Sequence, residues 1–107
     1  AATAAEDEKN LDLVHFDLSL YELYVKGYLE ETKDVLTKEE IESLPWGARL
    51  MTLECGIRFL TDYLQGDTYF KTDYPEHNLV RARTQFRLVD EMEQCFEKMR
   101  EIVRKYA

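Results

Sequence analysis

Arg58 lies four residues after Glu54 and four before Asp62, so on a helix one guanidinium sits in line with two carboxylates. A planar fork of five N–H donors held in this way suits sugar hydroxyls or a carbonyl oxygen. The same three residues on an open surface would be no more than a solvated ladder of ion pairs. Spacing alone leaves both readings open. Tyr69 is the second residue of interest, in a stretch of turn formers and aromatics over 67–77 (DTYFKTDYPEH). A loop aromatic of this kind is either a packing lid or a ligand contact. Cys55 and Cys95 belong to no CxxC or Cys/His cluster and read as buried free thiols of a reducing compartment. His15 and His77 are isolated, so these groups predict no metal site.

The elements that must position these residues are helices. Only four Gly and two Pro interrupt the chain, which favours long helices over strands and turns. Leu50, Leu53, Ile57, Leu60 and Leu64 share one face of a helix predicted over 46–65, widened by Gly56, Phe59 and Tyr63. More than half of its circumference is apolar, so substantial burial is expected. Glu54, Arg58, Asp62 and Gln65 form the remaining polar line. Pro45 fits the first turn of this helix, and Gly66 fits a left-handed cap at its end. Trp46, beside Pro45, reads as a core or helix-packing residue.

Upstream, Asp17 or Ser19 can cap a helix over 17–31, whose buried face is expected to be Leu20, Leu23, Tyr24, Gly27 and Tyr28. Gly27 on that face predicts close approach of another backbone. Thr37 and Glu40 form a capping box ahead of a short helix over 37–44. Residues 1–16 read as a lead-in, small and acidic at its start. Downstream, Asn78 is the expected cap of one long helix over 78–105 with two adjacent apolar lines, Leu79 to Val103 and Leu88 to Tyr106. Arg81, Arg83 and Arg87 open that helix at its positive end, so they require an acidic neighbour, either Asp62, Asp67 or Asp73 within the domain or a group from another part of a longer chain. The predicted fold is all-α, three to four helices packed by their apolar faces as one domain.

Charge and hydropathy narrow the function classes. The chain has 107 residues and 22 acidic against 14 basic side chains, a net charge of -8, which argues against a nucleic-acid partner. No apolar run is long enough for a bilayer, and no secretory leader opens the chain, so no membrane partner and a cytoplasmic location are expected. The first residue is Ala, which fits either removal of a methionine or a cut in a longer protein.

Residues 55–86, CGIRFLTDYLQGDTYFKTDYPEHNLVRARTQF, closely resemble the C-terminal part of aminoglycoside-phosphotransferase-like kinases, in particular the N-acetylhexosamine 1-kinase group. The shared pattern reads R-F-L-T-D-x-x-x-G-D-x-Y-F, then N-L-x-R-x-R-x-Q. Residues 3–8 (TAAEDE) and the Phe16-Asp17-Leu18 start of the first helix are similar to that group as well. The resemblance implies the C-terminal helical subdomain of a protein-kinase-like enzyme. The catalytic Asp and Asn and the metal-binding Asp of such kinases would precede the TAAEDE stretch. Neither an HxD…N loop nor an ATP-binding lobe lies within these residues. ATP and Mg would therefore belong to the intact parent, with no cofactor in this segment, which by itself is expected to be inactive.

In the family the Arg of the RFL motif and the Tyr of the GDxYF motif contact the sugar, which implies substrate roles for Arg58 and Tyr69. From their spacing, and not from the resemblance, Glu54 and Asp62 would orient Arg58. The implied partners are a small sugar and the remaining lobes of the same chain, whose docking face would be left apolar. The alternative reading is a free-standing helical interaction module presenting Tyr21, Tyr24, Tyr28, Tyr63 and Tyr69.

Overall fold

The computed structural model describes residues 2–107, and among them every regular element is helical. A 3-10 turn at Leu11–Leu13 precedes α1 (Leu18–Thr32), α2 (Lys38–Glu42), α3 (Leu44–Leu64), α4 (His77–Gln94) and α5 (Phe96–Tyr106). α3 packs along α4, and α1 packs along α5, which gives an elongated body of 45 × 27 × 20 Å. No helix among the described residues is long and apolar enough to cross a membrane.

The helix starts follow local chemistry. The Asp17 carboxylate accepts from the N–H groups of Ser19 and Leu20 at 2.8 and 3.1 Å. The Thr37–Glu40 capping box forms in both directions. Pro45 occupies the first turn of α3, where its missing N–H leaves no helical bond unmade. α3 ends in a Schellman motif. Gly66 (φ 98°) donates to the Tyr63 carbonyl at 3.2 Å, and Asp67 donates to the Asp62 carbonyl at 2.8 Å.

Four expectations are corrected by the packing. The predicted helix over 78–105 is two helices. The dihedrals at Cys95 (φ -117°, ψ 22°) leave the helical range, so α4 stays on α3 while α5 turns its Met99 and Val103 into the core around α1. Asn78 does not cap α4; Glu76 holds that position, and Asn78 is wholly buried as the second residue of the helix.

Second, the buried face of α1 is Tyr21, Val25 and Leu29, whereas Leu20, Leu23, Tyr24 and Tyr28 are exposed. The helix is apolar on two sides, and the stripe of α5 covers only one of them. Nothing lies within 4 Å of a Cβ built at Gly27. Gly56 is the glycine that allows close approach: a Cβ there would stand 2.7 Å from Phe86 Cε1 and 3.2 Å from Gln85 Cβ. α3 is turned accordingly. Gly56, Phe59 and Asp62 face α4, and Leu50, Ile57 and Leu64 face outward.

Third, the lead-in is a structural strap. Thr3 Oγ1 donates to the Leu13 carbonyl at 2.9 Å, Phe16 N–H donates to Glu91 Oε1 at 2.9 Å, and Thr84 Oγ1 donates to the Glu6 carbonyl at 2.5 Å. Val14, 1% exposed, anchors this strap in the core. Fourth, Cys55 is exposed and Cys95 half-buried, both as free thiols. Trp46 is half-exposed yet packs edge-on against Phe96, ring centroids 4.6 Å apart, with Arg49 over its face.

Candidate functional site

The end of α3 and the loop after it form one polar cluster around Asp62. Asp62 is 4% exposed, and its carboxylate accepts three hydrogen bonds, none of them from an arginine. Tyr69 N–H donates to Oδ1 at 2.8 Å, Phe70 N–H to Oδ2 at 3.1 Å, and the Asn78 side-chain amide to Oδ2 at 2.7 Å. The Asn78 amide also donates to Asp67 Oδ1 at 3.0 Å. Burial pushes the Asp62 carboxyl up, but the N–H groups of Phe70, Tyr69 and Thr68 together with Asn78 outweigh it and hold the group below its ordinary value. Asp62 thus remains charged at neutral pH and fixes the path of residues 67–70.

Arg81 ties the same loop to α4. Its NH1 donates to the Lys71 carbonyl and to Asn78 Oδ1, each at 3.0 Å. Its guanidinium lies 5.6 Å from the centre of the Phe59 ring, and its buried Nε stands 3.8 Å from Glu6, beyond hydrogen-bond reach. His77, 2% exposed, closes the far end of the loop. Asp73 N–H donates to Nδ1 at 3.1 Å, so Nε2 carries the proton and donates to Asp7 at 3.1 Å. The strap, the loop and the start of α4 are therefore joined through side chains.

On this platform sit Arg58 and Tyr69. The Arg58 guanidinium lies 5.6 Å from the centre of the Tyr69 ring and 5.9 Å from that of Phe70. Phe70 packs on Phe59 below, with centroids 4.7 Å apart. Arg58, Thr61, Asp62, Gln65, Tyr69 and Phe70 line a shallow pocket of about 240 Å³. Tyr69 is 73% exposed, so its phenol is accessible at the rim. An unpaired guanidinium, a phenol, a hydroxyl and an amide around an aromatic floor form a set of donors and acceptors suited to a small polyhydroxylated ligand.

The structure brings Arg58, Asp62 and Tyr69 together and leaves Glu54 out, exposed two turns earlier on α3. The Glu54–Arg58–Asp62 ladder does not form. Among the described residues Arg58 has no carboxylate in ion-pair range. The physical reason is that Asp62 points inward to the loop N–H groups, while Arg58, a turn earlier, lies over the aromatic rings. Asp62 holds the loop that carries Tyr69 and makes no direct pair with Arg58. The acidic partners expected for Arg81 and Arg87 are also different: Glu6 and Glu91, with Arg87 Nε 3.1 Å from Glu91, in place of Asp62, Asp67 or Asp73. No group of three or more His, Cys, Asp or Glu among the described residues is arranged to hold a metal ion.

Sequence reasoning missed Asn78, His77 and Arg81 as organisers of the site. The signal was present in outline: turn formers bounded by Asp62 at one end and His77-Asn78 at the other need buried polar partners for the loop backbone. No family model matches the chain.

Proposed function

We propose that this chain is the substrate-side helical subdomain of an ATP-dependent small-molecule kinase acting on a sugar, with an N-acetylhexosamine as the substrate class. The observation that carries the reading is the pairing of Arg58 with Tyr69 over one pocket, on a loop fixed by Asp62. These are the two residues to which the resemblance assigns sugar contacts. Arg58 would donate charge-assisted hydrogen bonds to ring or hydroxyl oxygens, and Tyr69 would add one phenolic contact. Phosphoryl transfer would be carried by lobes of the parent protein that bind MgATP, and this segment would form the opposite wall of the sugar pocket. The exposed apolar faces of α1 and α3 suit the docking of such lobes.

The test is kcat/KM of the parent kinase for N-acetylhexosamines. Arg58→Ala should cost about 2 kcal/mol, the size of lost hydrogen bonds to a charged group. Arg58→Lys should restore little, because a point charge does not reproduce the fork. Tyr69→Phe should cost about 1 kcal/mol. Arg58→Ala within twofold of the parent, or a loss seen only as a lower melting temperature, sinks the ligand role. A parent that transfers no phosphate to any sugar sinks the wider reading.

A second reading draws on α1. Tyr24 and Tyr28 stack with rings 6.1 Å apart on its exposed side, beside Leu20 and Leu23, which suits a helical interaction module. Tyr21 contributes nothing to that surface, since it is buried against Phe16. An upstream reading frame that begins at this chain, with no kinase lobe, would favour this second reading.

A further inference from the structure

A cavity of about 580 Å³ opens at the other end of the molecule, between the end of α1, α2, the start of α3 and α5. Its floor is apolar: Leu36, Ile41, Pro45 and Val103. Its rim is rich in cations: Lys33, Lys38, Arg100 and Arg104 line it together with Glu42 and Ala107, whose α-carboxylate is a second anion in the 107-residue chain. Arg100 is engaged by Glu97 at 2.8 Å. Lys33, Lys38 and Arg104 have no carboxylate in ion-pair range among the described residues.

Acidic side chains outnumber basic ones by 22 to 14, so a cation placed without regard to sign meets a carboxylate more readily than another cation. Here three cations without ion pairs among the described residues are gathered around one cavity. A concave site with apolar walls focuses such a field, and an anion entering it would meet these cations together. The size and the apolar floor call for more than a bare inorganic ion.

We propose that this cavity binds a small organic anion: a carboxylate, sulfonate or phosphate ester on an apolar body. The apolar part would lie on Ile41 and Val103, and the anionic group would face Lys33, Lys38 and Arg104. The site is remote in sequence and in lining from the pocket at Arg58 and Tyr69, and it does not depend on the reading given to that pocket.

The experiment pairs two probes of one shape, anilinonaphthalene sulfonate and the uncharged N-phenylnaphthylamine, titrated into the 107-residue chain. Amide shifts report where each binds. The sulfonate should bind about tenfold more tightly than the neutral probe, with the gap closing at high salt. Shifts should centre on Lys33, Ile41 and Val103. Lys38→Glu and Arg104→Glu should each weaken the sulfonate about fivefold and leave the neutral probe unchanged. Lys38→Gln, neutral and at the first turn of α2, serves as a milder variant should charge reversal unfold the chain. Equal affinity for the two probes overturns the proposal. So do shifts confined to Leu20, Leu23, Tyr24 and Tyr28. Self-association that displaces the probe as protein concentration rises also overturns it, since the occupant would then be an acidic face of a second copy.

Discussion

Two buried polar groups show opposite ways in which single residues act on this molecule. The Asp62 carboxylate has every contact it needs, and its carboxyl is held below the ordinary value. Its folded-state pKa is therefore lower than its unfolded one. The stabilisation is complete above the unfolded value of about 4 and is lost as pH falls through the folded value. Asp62→Asn keeps one acceptor oxygen and loses the charge, so the acid side of a melting-temperature profile should flatten. The N–H groups of Tyr69 and Phe70 should exchange with solvent faster. A variant whose acid profile parallels the parent's would remove Asp62 as the group responsible. Tyr21 is the reverse case. Its hydroxyl is buried without a hydrogen-bond partner, and burial, with Cys95 nearby, pushes its pKa up to about 12. It should be the last of the seven tyrosines to ionise in an alkaline absorbance titration. Tyr21→Phe removes an unsatisfied hydroxyl at nearly constant shape and should stabilise the fold by about 1 kcal/mol in urea denaturation. A loss of stability would mean the hydroxyl has a partner in solution.

At the scale of elements, two of the three helical glycines, Gly27 and Gly56, should respond with opposite signs. Alanine gains about 1 kcal/mol over glycine in an open helix, and Gly27 on α1 has nothing within 4 Å of a built Cβ. Gly27→Ala should therefore raise stability by roughly that amount. At Gly56 the new methyl would meet the Phe86 ring at 2.7 Å, where α3 and α4 are closest. The overlap costs about 1–3 kcal/mol and exceeds the propensity gain. Gly56→Ala should lower the melting temperature, and an increase would mean that α4 can slide away. The break at Cys95 belongs to the same scale. It is caused by neither Pro nor Gly. It lies where α4 leaves α3 and α5 begins to pack on α1, so two partners set two directions for one apolar stripe.

Across the whole molecule, the apolar surface is divided between a core and uncovered faces. Leu29 is 0% exposed in the core that α1 shares with α5, whereas Leu23 is 65% exposed on the same helix. Leu29→Ala should cost about 3 kcal/mol, the usual result of emptying a packed site. Leu23→Glu should change stability by less than about 0.5 kcal/mol and should reduce any self-association seen by sedimentation. A large loss of stability in Leu23→Glu would show that this face is covered in solution. The two ends of the molecule also differ in charge. The cationic cavity sits at one end of α1, and the strap carrying Glu6, Asp7 and Glu8 lies against the start of α4. A net charge of -8 is thus a sum over unlike surfaces.

The sequence by itself determined what depends on neighbours a few residues apart. The caps at Asp17 and Thr37, Pro45 in a first turn, the left-handed stop at Gly66 and the all-helical class are local, because each rests on backbone groups within one turn of the side chain that satisfies them. Arg58 and Tyr69 could be singled out from spacing and resemblance for the same reason, each lying within one short motif. What only the tertiary structure decided is which of two apolar faces each helix buries. α1 and α3 are apolar on more than one side, and a helix's phase is fixed by the partner that covers it. The same holds for Asp62. Its spacing from Arg58 permitted an ion pair, but several inward donors in a low-dielectric site outcompete one solvated guanidinium. Those donors come from residues 69, 70 and 78, and only folding the loop back onto α3 brings them to it.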